Sequence, residues 1–200
     1  MPDAQHIRLK RQEFRRFFQP SRIVLGVFCV PNENRVNVIT LCFNMHCSYK
    51  PPMMAVAVAQ ASYTSTLLKV GSEFVLGVPG ESMADAVIQC GLESGRTVDK
   101  VATLGLRLGA GEVVGVPILE QCIANVELRT ARLVPTGDHT TVIGEVAAFR
   151  VNVQNRERPL VSVGPDTSGY RLIAKSGIHR IAVASPLSSD AGVPKDAHAS

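Results

Sequence analysis

The chain has 200 residues, of which 46% are hydrophobic and 19% are charged, and its formal net charge is +4. This composition excludes a chain that is disordered throughout, and the length is sufficient to bury one substantial hydrophobic core. Its apolar runs are too short for a membrane helix, and the basic residues 1–18 lack the apolar stretch of a secretory signal. The five cysteines are an odd number set within apolar segments, as is typical of reduced thiols. We therefore expect a cytoplasmic protein that does not associate with membranes.

The pattern of residues predicts many short strands and few short helices. The basic and apolar segment 5–18 predicts a short amphipathic helix, and the chain from Pro186 onward predicts a disordered tail, so that residues 1–185 form one domain. Ser82 followed by Asp85 predicts a capped helix that ends at Gly91. Strands are predicted at residues 23–30, 35–41, 53–59, 73–78, 123–134 and 140–153. Turn signals at 31–34 and 136–138 join neighbouring strands into hairpins, which predicts an antiparallel barrel that is closed or nearly closed.

A polar turn follows the most apolar of the predicted strands. Residues 53–59 are an uninterrupted run of Ala, Val and Met, as expected of a strand that is covered on both faces. Residues 62–66 then offer hydroxyls and backbone N–H groups ahead of Leu67 and Leu68, and Gly71 predicts a helix stop. Because the first N–H groups of a helix have no internal partner, this turn is suited to a phosphate. A capped surface helix that binds nothing is the alternative that the residues alone leave open.

Several short motifs occur in an order that resembles a known family. They are the strand of residues 37–40, Ser48 followed by the Pro51-Pro52 pair, the Tyr63-Thr64 turn, the segment GLESGRTVDK at 91–100, and the GDH at 137–139 that leads into Gly144-Glu145-Val146. Over about residues 20–170, this order is similar to that of the flavin reductase-like proteins, which include NAD(P)H:flavin oxidoreductases and flavoredoxins. The resemblance implies a mainly β fold, the FMN-binding split β-barrel of antiparallel, Greek-key type, and a homodimer with sites at the subunit interface.

The resemblance also implies which residues bind the cofactor FMN. Phosphate contacts are assigned to Ser62, Thr64 and the N–H groups near Ser65, with a positive charge from Lys100. Tyr63 of the same turn and Ser94 of the GLESGRTVDK segment are also assigned to FMN binding. Contacts with the isoalloxazine ring, through backbone groups as much as side chains, are assigned to Asn37, Thr40, Leu41, Cys42 and Asn44. Without the resemblance, the same strand residues would be interpreted as ordinary strand packing.

Two departures from the family pattern predict a modest affinity for FMN. Relatives often have Trp near the position of Phe43, and this chain contains no Trp. Relatives also often place Arg or His before the tyrosine of the phosphate turn, where this chain has Ser62, and a hydroxyl is a weaker phosphate partner than a guanidinium. The pattern leaves open whether FMN is a tightly bound group or an exchangeable substrate.

His139 is the histidine that the resemblance places at the catalytic site. It follows Gly137-Asp138 in a turn whose counterpart in relatives reaches toward the flavin and the nicotinamide. Taken alone, a histidine beside a hairpin turn is more often a solvated turn residue. Hydride transfer between nicotinamide and flavin needs no general base, because the reactive groups belong to the cofactors, so we expect no catalytic triad.

The sequence predicts an NAD(P)H-dependent flavin reductase, with NADH or NADPH as co-substrate and a monooxygenase or another electron-transfer protein as partner. The alternatives left open are a flavoredoxin-type electron-transfer protein and a barrel that has lost its flavin and serves as a scaffold. No metal is expected, because Cys42, His46 and Cys47, with Cys29 nearby, lack the paired spacing of zinc ligands. Nucleic acid is not expected as a partner, because no stripe of basic and aromatic residues follows the strands.

Overall fold

The computed structural model describes residues 8, 10, 11, 13, 14, 18–165 and 167–185. The predicted tail and most of the predicted N-terminal helix lie outside these residues. Within them, the strands are β1 (Ser21–Arg22), β2 (Val24–Cys29), β3 (Val36–Leu41), β4 (Asn44–Tyr49), β5 (Pro52–Ala59), β6 (Glu73–Val78), β7 (Leu108–Gly109), β8 (Ile118–Leu119), β9 (Ala124–Thr136), β10 (His139–Val151), β11 (Val161–Ser162), β12 (Tyr170–Ser176) and β13 (His179–Ala184). The helices are α1 (Ala84–Leu92) and α2 (Lys100–Thr103), with short 3-10 helices at Tyr63–Leu67 and Glu81–Met83. No helix in the described part of the chain is long and apolar enough to cross a membrane.

The main sheet has seven strands in the order β3-β2-β6-β9-β10-β5-β4, and every pair is antiparallel. Strands β3 and β4 are the two edges of this sheet, yet only Cys42 and Phe43 separate them along the chain. The two edges must therefore meet at this point, and the sheet curls into a barrel that is split between β3 and β4. The prediction of a mainly β, antiparallel fold is confirmed.

Two hydrophobic clusters lie on the two sides of β3. Val36 and Val38 pack with helix α1 in one cluster, whereas Leu41 packs with Phe28 and Phe74 in the other. This division follows from the strand period of two, which sends alternate side chains to opposite faces. Strand β3 therefore separates the barrel interior from the helical layer, and side chains on either face can reach a site at its free edge.

A smaller sheet, in the order β1-β11-β13-β12, packs beside the helix. Strands β12 and β13 form a hairpin, in which Ile181 and Val183 are buried with the α1 cluster. Glu81 accepts hydrogen bonds from Arg158 and from Arg171, which ties this hairpin to the start of the helical layer. The hairpin was not predicted from the sequence.

The helix boundaries differ from the predicted ones for tertiary reasons. Helix α1 continues through Gly91 to Leu92, and Ser82 makes no cap, because its hydroxyl and its N–H both donate to the Glu157 carboxylate, at 3.0 and 3.1 Å. The helix predicted after the polar turn is the 3-10 helix Tyr63–Leu67, which ends before Gly71. Gly71 instead lies in the following turn with a φ of +80°, a conformation that favours glycine.

Glu127 is the most thoroughly buried carboxylate among the described residues, with 1% of its surface exposed. It accepts backbone hydrogen bonds from Glu112, Val113 and Val114 at 2.8 to 2.9 Å, and a further one from the Arg150 guanidinium at 3.3 Å. Burial raises the pKa of Glu127, but these four donors outweigh burial and hold the pKa below its ordinary value. The carboxylate therefore fastens the loop before β8 onto strands β9 and β10.

Replacement of Glu127 with Gln should lower the free energy of unfolding by on the order of 3 kcal/mol, because an amide cannot accept all of these bonds. A carboxyl whose pKa is lower in the folded state stabilises the fold above its unfolded pKa and loses that contribution as the pH falls through the folded pKa. Urea denaturation between neutral and acidic pH should therefore show less acid destabilisation in Glu127→Gln than in the wild type. Glu112→Gln, an exposed change in the same loop, is the control, and equal effects of the two variants would contradict the assignment.

Candidate functional site

Two adjoining cavities lie at the free edge of β3. The larger, of about 230 Å³, is lined by the predicted residues Asn37, Ser62, Tyr63, Thr64, Ser94 and Lys100, and we call it the polar cavity. The smaller, of about 130 Å³, is lined by Thr40, Cys42, Val87, Ile88, Ser162 and His179 among others, and we call it the distal cavity. Gly91 and Leu92 line both cavities. The two cavities are therefore neighbours at the end of α1, one on each side of the edge strand.

Asn37 contributes an unpaired acceptor to the polar cavity. Its side chain is 2% exposed, and its Nδ2 donates to the Thr64 hydroxyl at 2.8 Å, but its Oδ1 is buried without a hydrogen-bond partner. Gly95 lies directly against this amide, since a Cβ at residue 95 would come within 1.8 Å of Oδ1. A buried acceptor without a donor costs about 1 to 3 kcal/mol, so a ligand that brings an N–H or O–H group would recover that cost.

Lys100 is a buried cation at the other wall of the polar cavity. The residue is 4% exposed, and its ammonium donates to the backbone carbonyls of Cys90 and Glu93, each at 3.1 Å. Burial lowers the pKa of Lys100, and the neighbouring Cys90 and Glu93 act in the opposite direction. Because an ammonium has three N–H groups, two of them can cap helix α1 while the third serves a ligand.

Tyr63, which lines the polar cavity, interacts with two guanidinium groups. Arg96 lies over the ring, 5.3 Å from its centre, and Arg35 interacts with the Tyr63 side chain and donates to the Gly95 carbonyl at 2.9 Å. Arg35 also donates to Glu33. The sequence-based reasoning missed both arginines. The position of Arg35, two residues before Asn37 in an extended segment, was the available signal, because it places both side chains on one face.

Three of the predicted cofactor residues direct their side chains away from the cavities. Leu41 packs in the barrel core, and the Asn44 amide donates to the Arg22 carbonyl at 2.8 Å. The Ser65 hydroxyl donates to the Gln60 carbonyl at 2.7 Å, and the Ser65 backbone N–H donates to the Ser62 carbonyl. Any contact of Leu41 or Asn44 with a ligand would therefore use backbone groups, and Ser65 is committed to holding the turn.

The polar side chains of the distal cavity that belong to β3 already have partners. The Thr40 hydroxyl donates to the Val87 carbonyl, which fixes helix α1 to the strand. Burial raises the pKa of the Cys42 thiol, and its hydrogen bond with Ser162 opposes the shift only in part. Cys42 is therefore a neutral thiol at ordinary pH, suited to packing rather than to nucleophilic chemistry.

His139 lies outside both cavities. It begins β10 opposite Ala59, its Nδ1 is 2.6 Å from the Asp138 carboxylate, and its ring centre is 5.4 Å from that of Phe43. The hydrogen bond from His139 lowers the pKa of the Asp138 carboxyl, which is fully exposed. The structure brings His139 together with Phe43 on the outside of the barrel, and its catalytic role stays a prediction.

The fold and the cavities together define a split-barrel protein with two adjoining cavities, one that contains a buried cation and one that is mostly apolar. The chain belongs to the flavin reductase-like family, because the sequence profile described as "Flavin reductase like domain" matches residues 19–166. A protein of Archaeoglobus fulgidus is 35% identical over 117 residues, which are 58% of this chain and 66% of that protein. This chain thus spans slightly less than two thirds of that relative.

Solved structures show the same barrel. The FMN-binding protein of Thermus thermophilus, solved with 1-cyclohex-2-enone, is 26% identical with a TM-score of 0.65, covering 82% of this chain and 92% of its own. Flavoredoxin of Methanosarcina acetivorans has a TM-score of 0.73 at 21% identity and covers 96% and 98%. The NADH:FAD oxidoreductase SgcE6 of Streptomyces globisporus has a TM-score of 0.65 at 21% identity and covers 80% and 93%. The predictions of family and fold class are therefore confirmed.

Proposed function

We propose that the protein is an NAD(P)H-dependent flavin reductase that binds FMN and transfers hydride from the nicotinamide to the flavin. The observation that carries the proposal is that the polar and distal cavities adjoin at Gly91 and Leu92, which line both. FMN would need a positive charge beside its phosphate, hydrogen-bond acceptors beside its ribityl hydroxyls and apolar residues around its planar ring. The polar cavity offers the first two, and the distal cavity offers the third. Names of structural neighbours, which include an FMN-binding protein and an NADH:FAD oxidoreductase, agree with this assignment.

The residues present fit FMN at the polar end. Ribityl hydroxyls are donors of the kind that Asn37 Oδ1 lacks, and the absence of a side chain at Gly95 lets the backbone of that loop lie directly against this atom. Lys100 would contribute its remaining N–H to the phosphate, with Arg35 and Arg96 adding positive charge nearby. The guanidinium that relatives carry before the tyrosine is therefore replaced in this chain by two arginines from other segments.

The chain's own residues would bind and orient rather than react. When bound, FMN supplies the ring that accepts a hydride, and this chemistry requires no general base from the protein. Helix α1 and β3 would exclude water from the ring through Val87, Ile88 and Leu92, which line the distal cavity. NADH or NADPH would be the co-substrate, and a monooxygenase or another electron-transfer protein would take the electrons.

The outer face of the barrel beside β4 supports the proposal of a homodimer. Phe43 is 51% exposed and Met45 is 61% exposed, and both lie next to small alanines of β5. Neighbouring exposed apolar side chains on a protein surface are typical of protein interfaces. A second copy on this face would also bring its own groups close to His139, which contacts Phe43.

A flavoredoxin-type electron-transfer protein that does not oxidise NAD(P)H directly is the second candidate function. The observation that favours it is the position of His139, which lies outside both cavities and against Phe43. If FMN occupies the cavities, the histidine of the GDH turn would not line its binding site. In this case FMN would stay bound and electrons would arrive from a protein.

The visible absorption of the purified protein, recorded before and after anaerobic addition of NADH or NADPH, tests the function. A flavin reductase should bleach the flavin band with at least one nicotinamide, after titration with FMN or FAD where the protein is isolated without flavin. Bound flavin that neither nicotinamide reduces would support the flavoredoxin alternative. A protein that binds no flavin would contradict both functions and leave the scaffold interpretation.

Replacement of Lys100 with Met should weaken FMN binding and leave riboflavin binding nearly unchanged, because riboflavin lacks the phosphate. Loss of one charge-assisted hydrogen bond costs about 1.5 to 3 kcal/mol, or one to two decades in affinity. Quenching of flavin fluorescence measures both affinities. Lys69→Met, at an exposed lysine outside the polar cavity, is the matched control. Equal weakening of FMN and riboflavin would show that Lys100 acts only as the cap of α1.

A methyl group at residue 95 should close the polar cavity beside Asn37. Since the new Cβ of Gly95→Ala would overlap Asn37 Oδ1, the amide must move into the space that a ligand needs, and flavin affinity should fall by about tenfold or more. Gly115→Ala is the control, because a Cβ at residue 115 meets only the Glu73 carboxylate at an ordinary 3.6 Å. Isothermal titration calorimetry with FMN measures the affinity of each variant. An unchanged affinity in Gly95→Ala would show that FMN does not bind beside Asn37.

Replacement of His139 with Ala should slow reduction of the bound flavin or raise the KM for NAD(P)H, while FMN affinity stays within about twofold of the wild type. The effect should be partial, because no proton has to be removed in hydride transfer. Stopped-flow measurement of flavin reduction over a range of nicotinamide concentrations gives both parameters. An unchanged reduction rate at every concentration would show that His139 is a solvated turn residue without a catalytic role.

A further inference from the structure

The wall of the distal cavity includes residues from beyond the segment that the family profile matches. That match ends at residue 166, whereas the hairpin of β12 and β13 spans residues 170–184. Its residues His179 and Ile181 line the distal cavity together with Ser162 of β11 and with Thr40 and Cys42 of β3. The end of the site that is distant from Lys100 is therefore built in part by a segment for which the family assignment gives no role.

The hairpin holds a fixed position against the rest of the site. Ile181, Ala182 and Val183 are buried, and β13 pairs with both β11 and β12. At the far end of the hairpin, Arg158 donates to the Ala184 carbonyl at 2.7 Å and to the Glu81 carboxylate, which also binds Arg171. His179 follows directly after the tight turn at Gly177, which has a φ of +55°. The backbone of His179 is therefore set by its pairing with Ser176 of β12, and the residues that follow it are fixed by pairing on both sides and by burial.

His179 is an exposed side chain at the wall of the distal cavity, and its ring is free to form hydrogen bonds. The Thr40 hydroxyl donates to Val87, and Cys42 and Ser162 are hydrogen-bonded to each other. Among the described residues, the His179 imidazole has no hydrogen bond and no ion pair. A neutral imidazole offers one donor and one acceptor, so it can meet either kind of group on a heterocycle.

We propose that His179 is a binding residue for the flavin ring, at the distal end of the site, and that the hairpin of β12 and β13 selects for a planar heterocycle there. The inference rests on the proposed flavin-binding function and adds to it the group that recognises the ring. The polar edge of the isoalloxazine carries carbonyl oxygens and an N–H, which the imidazole matches. Val87, Ile88, Leu92 and Ile181 give the apolar cover that such a ring requires.

Three flavins that differ only in their side chains distinguish this role from the phosphate site. FMN, riboflavin and lumiflavin share the ring, so His179→Ala should weaken the binding of all three by a similar factor, about three- to tenfold, as expected for one neutral hydrogen bond. His179→Gln keeps a donor and an acceptor and should recover most of the affinity. Lys175→Ala, at an exposed residue of the same hairpin that does not line the cavity, should behave as the wild type.

Fluorescence quenching of each flavin and the absorption spectrum of the bound flavin are the readouts, neither of which depends on turnover. A spectral shift in His179→Ala but not in Lys175→Ala would support direct contact with the ring. If the wild type binds flavin and His179→Ala binds all three flavins equally well with an unchanged spectrum, the role of His179 is wrong and the proposed function stands. If the wild type binds none of the three, the proposed function fails and this inference fails with it.

Discussion

The site depends above all on how Lys100 ends helix α1. A buried ammonium without a carboxylate partner is costly, and here the cost is offset by two carbonyls at the C-terminal end of a helix, where the helix dipole is negative. This interaction joins the end of α1 to the start of α2 and so fixes the loop between them. The polar cavity is lined in part by the end of α1 and the loop after it, through Gly91, Leu92, Ser94 and Gly95. The shape of this wall therefore depends on the position of the Lys100 ammonium.

The polar cavity is held ready for a ligand at some cost to the fold. Asn37 reaches it from an edge strand, satisfies its amide N–H on Thr64 and leaves its oxygen unpaired behind the glycine at 95. An orphaned acceptor of this kind destabilises the unliganded protein, and the same free energy then favours any ligand with a suitable donor. The amide and Lys100 thus form a preorganised pair of opposite hydrogen-bonding character, with an acceptor on one wall and a donor on the other.

Patterns within short segments predicted much of this molecule. The apolar run at residues 53–59 is β5, and the turn at 136–138 joins β9 to β10, because both depend on local residue types. The resemblance to a family placed Asn37, Thr64 and Lys100 around one site, which composition alone would not have done. The missed features are tertiary. Glu127 holds a loop through backbone donors that carry no sequence signature, and Glu157 takes the place of the predicted cap at Ser82 from a segment 75 residues away.

The two ends of the site have different origins along the chain, and this bears on how flavin recognition is divided. The polar end is made wholly by residues within the family match, from Asn37 to Lys100, so its chemistry is that of the family. The distal end takes His179 and Ile181 from a hairpin beyond the match, held in place by Glu81 and its two arginines. A loop or hairpin that packs on the outside of a rigid barrel can vary without disturbing the barrel's core. Under the proposed function, the barrel would fix the position of the phosphate, and the hairpin of β12 and β13 would shape the surroundings of the ring.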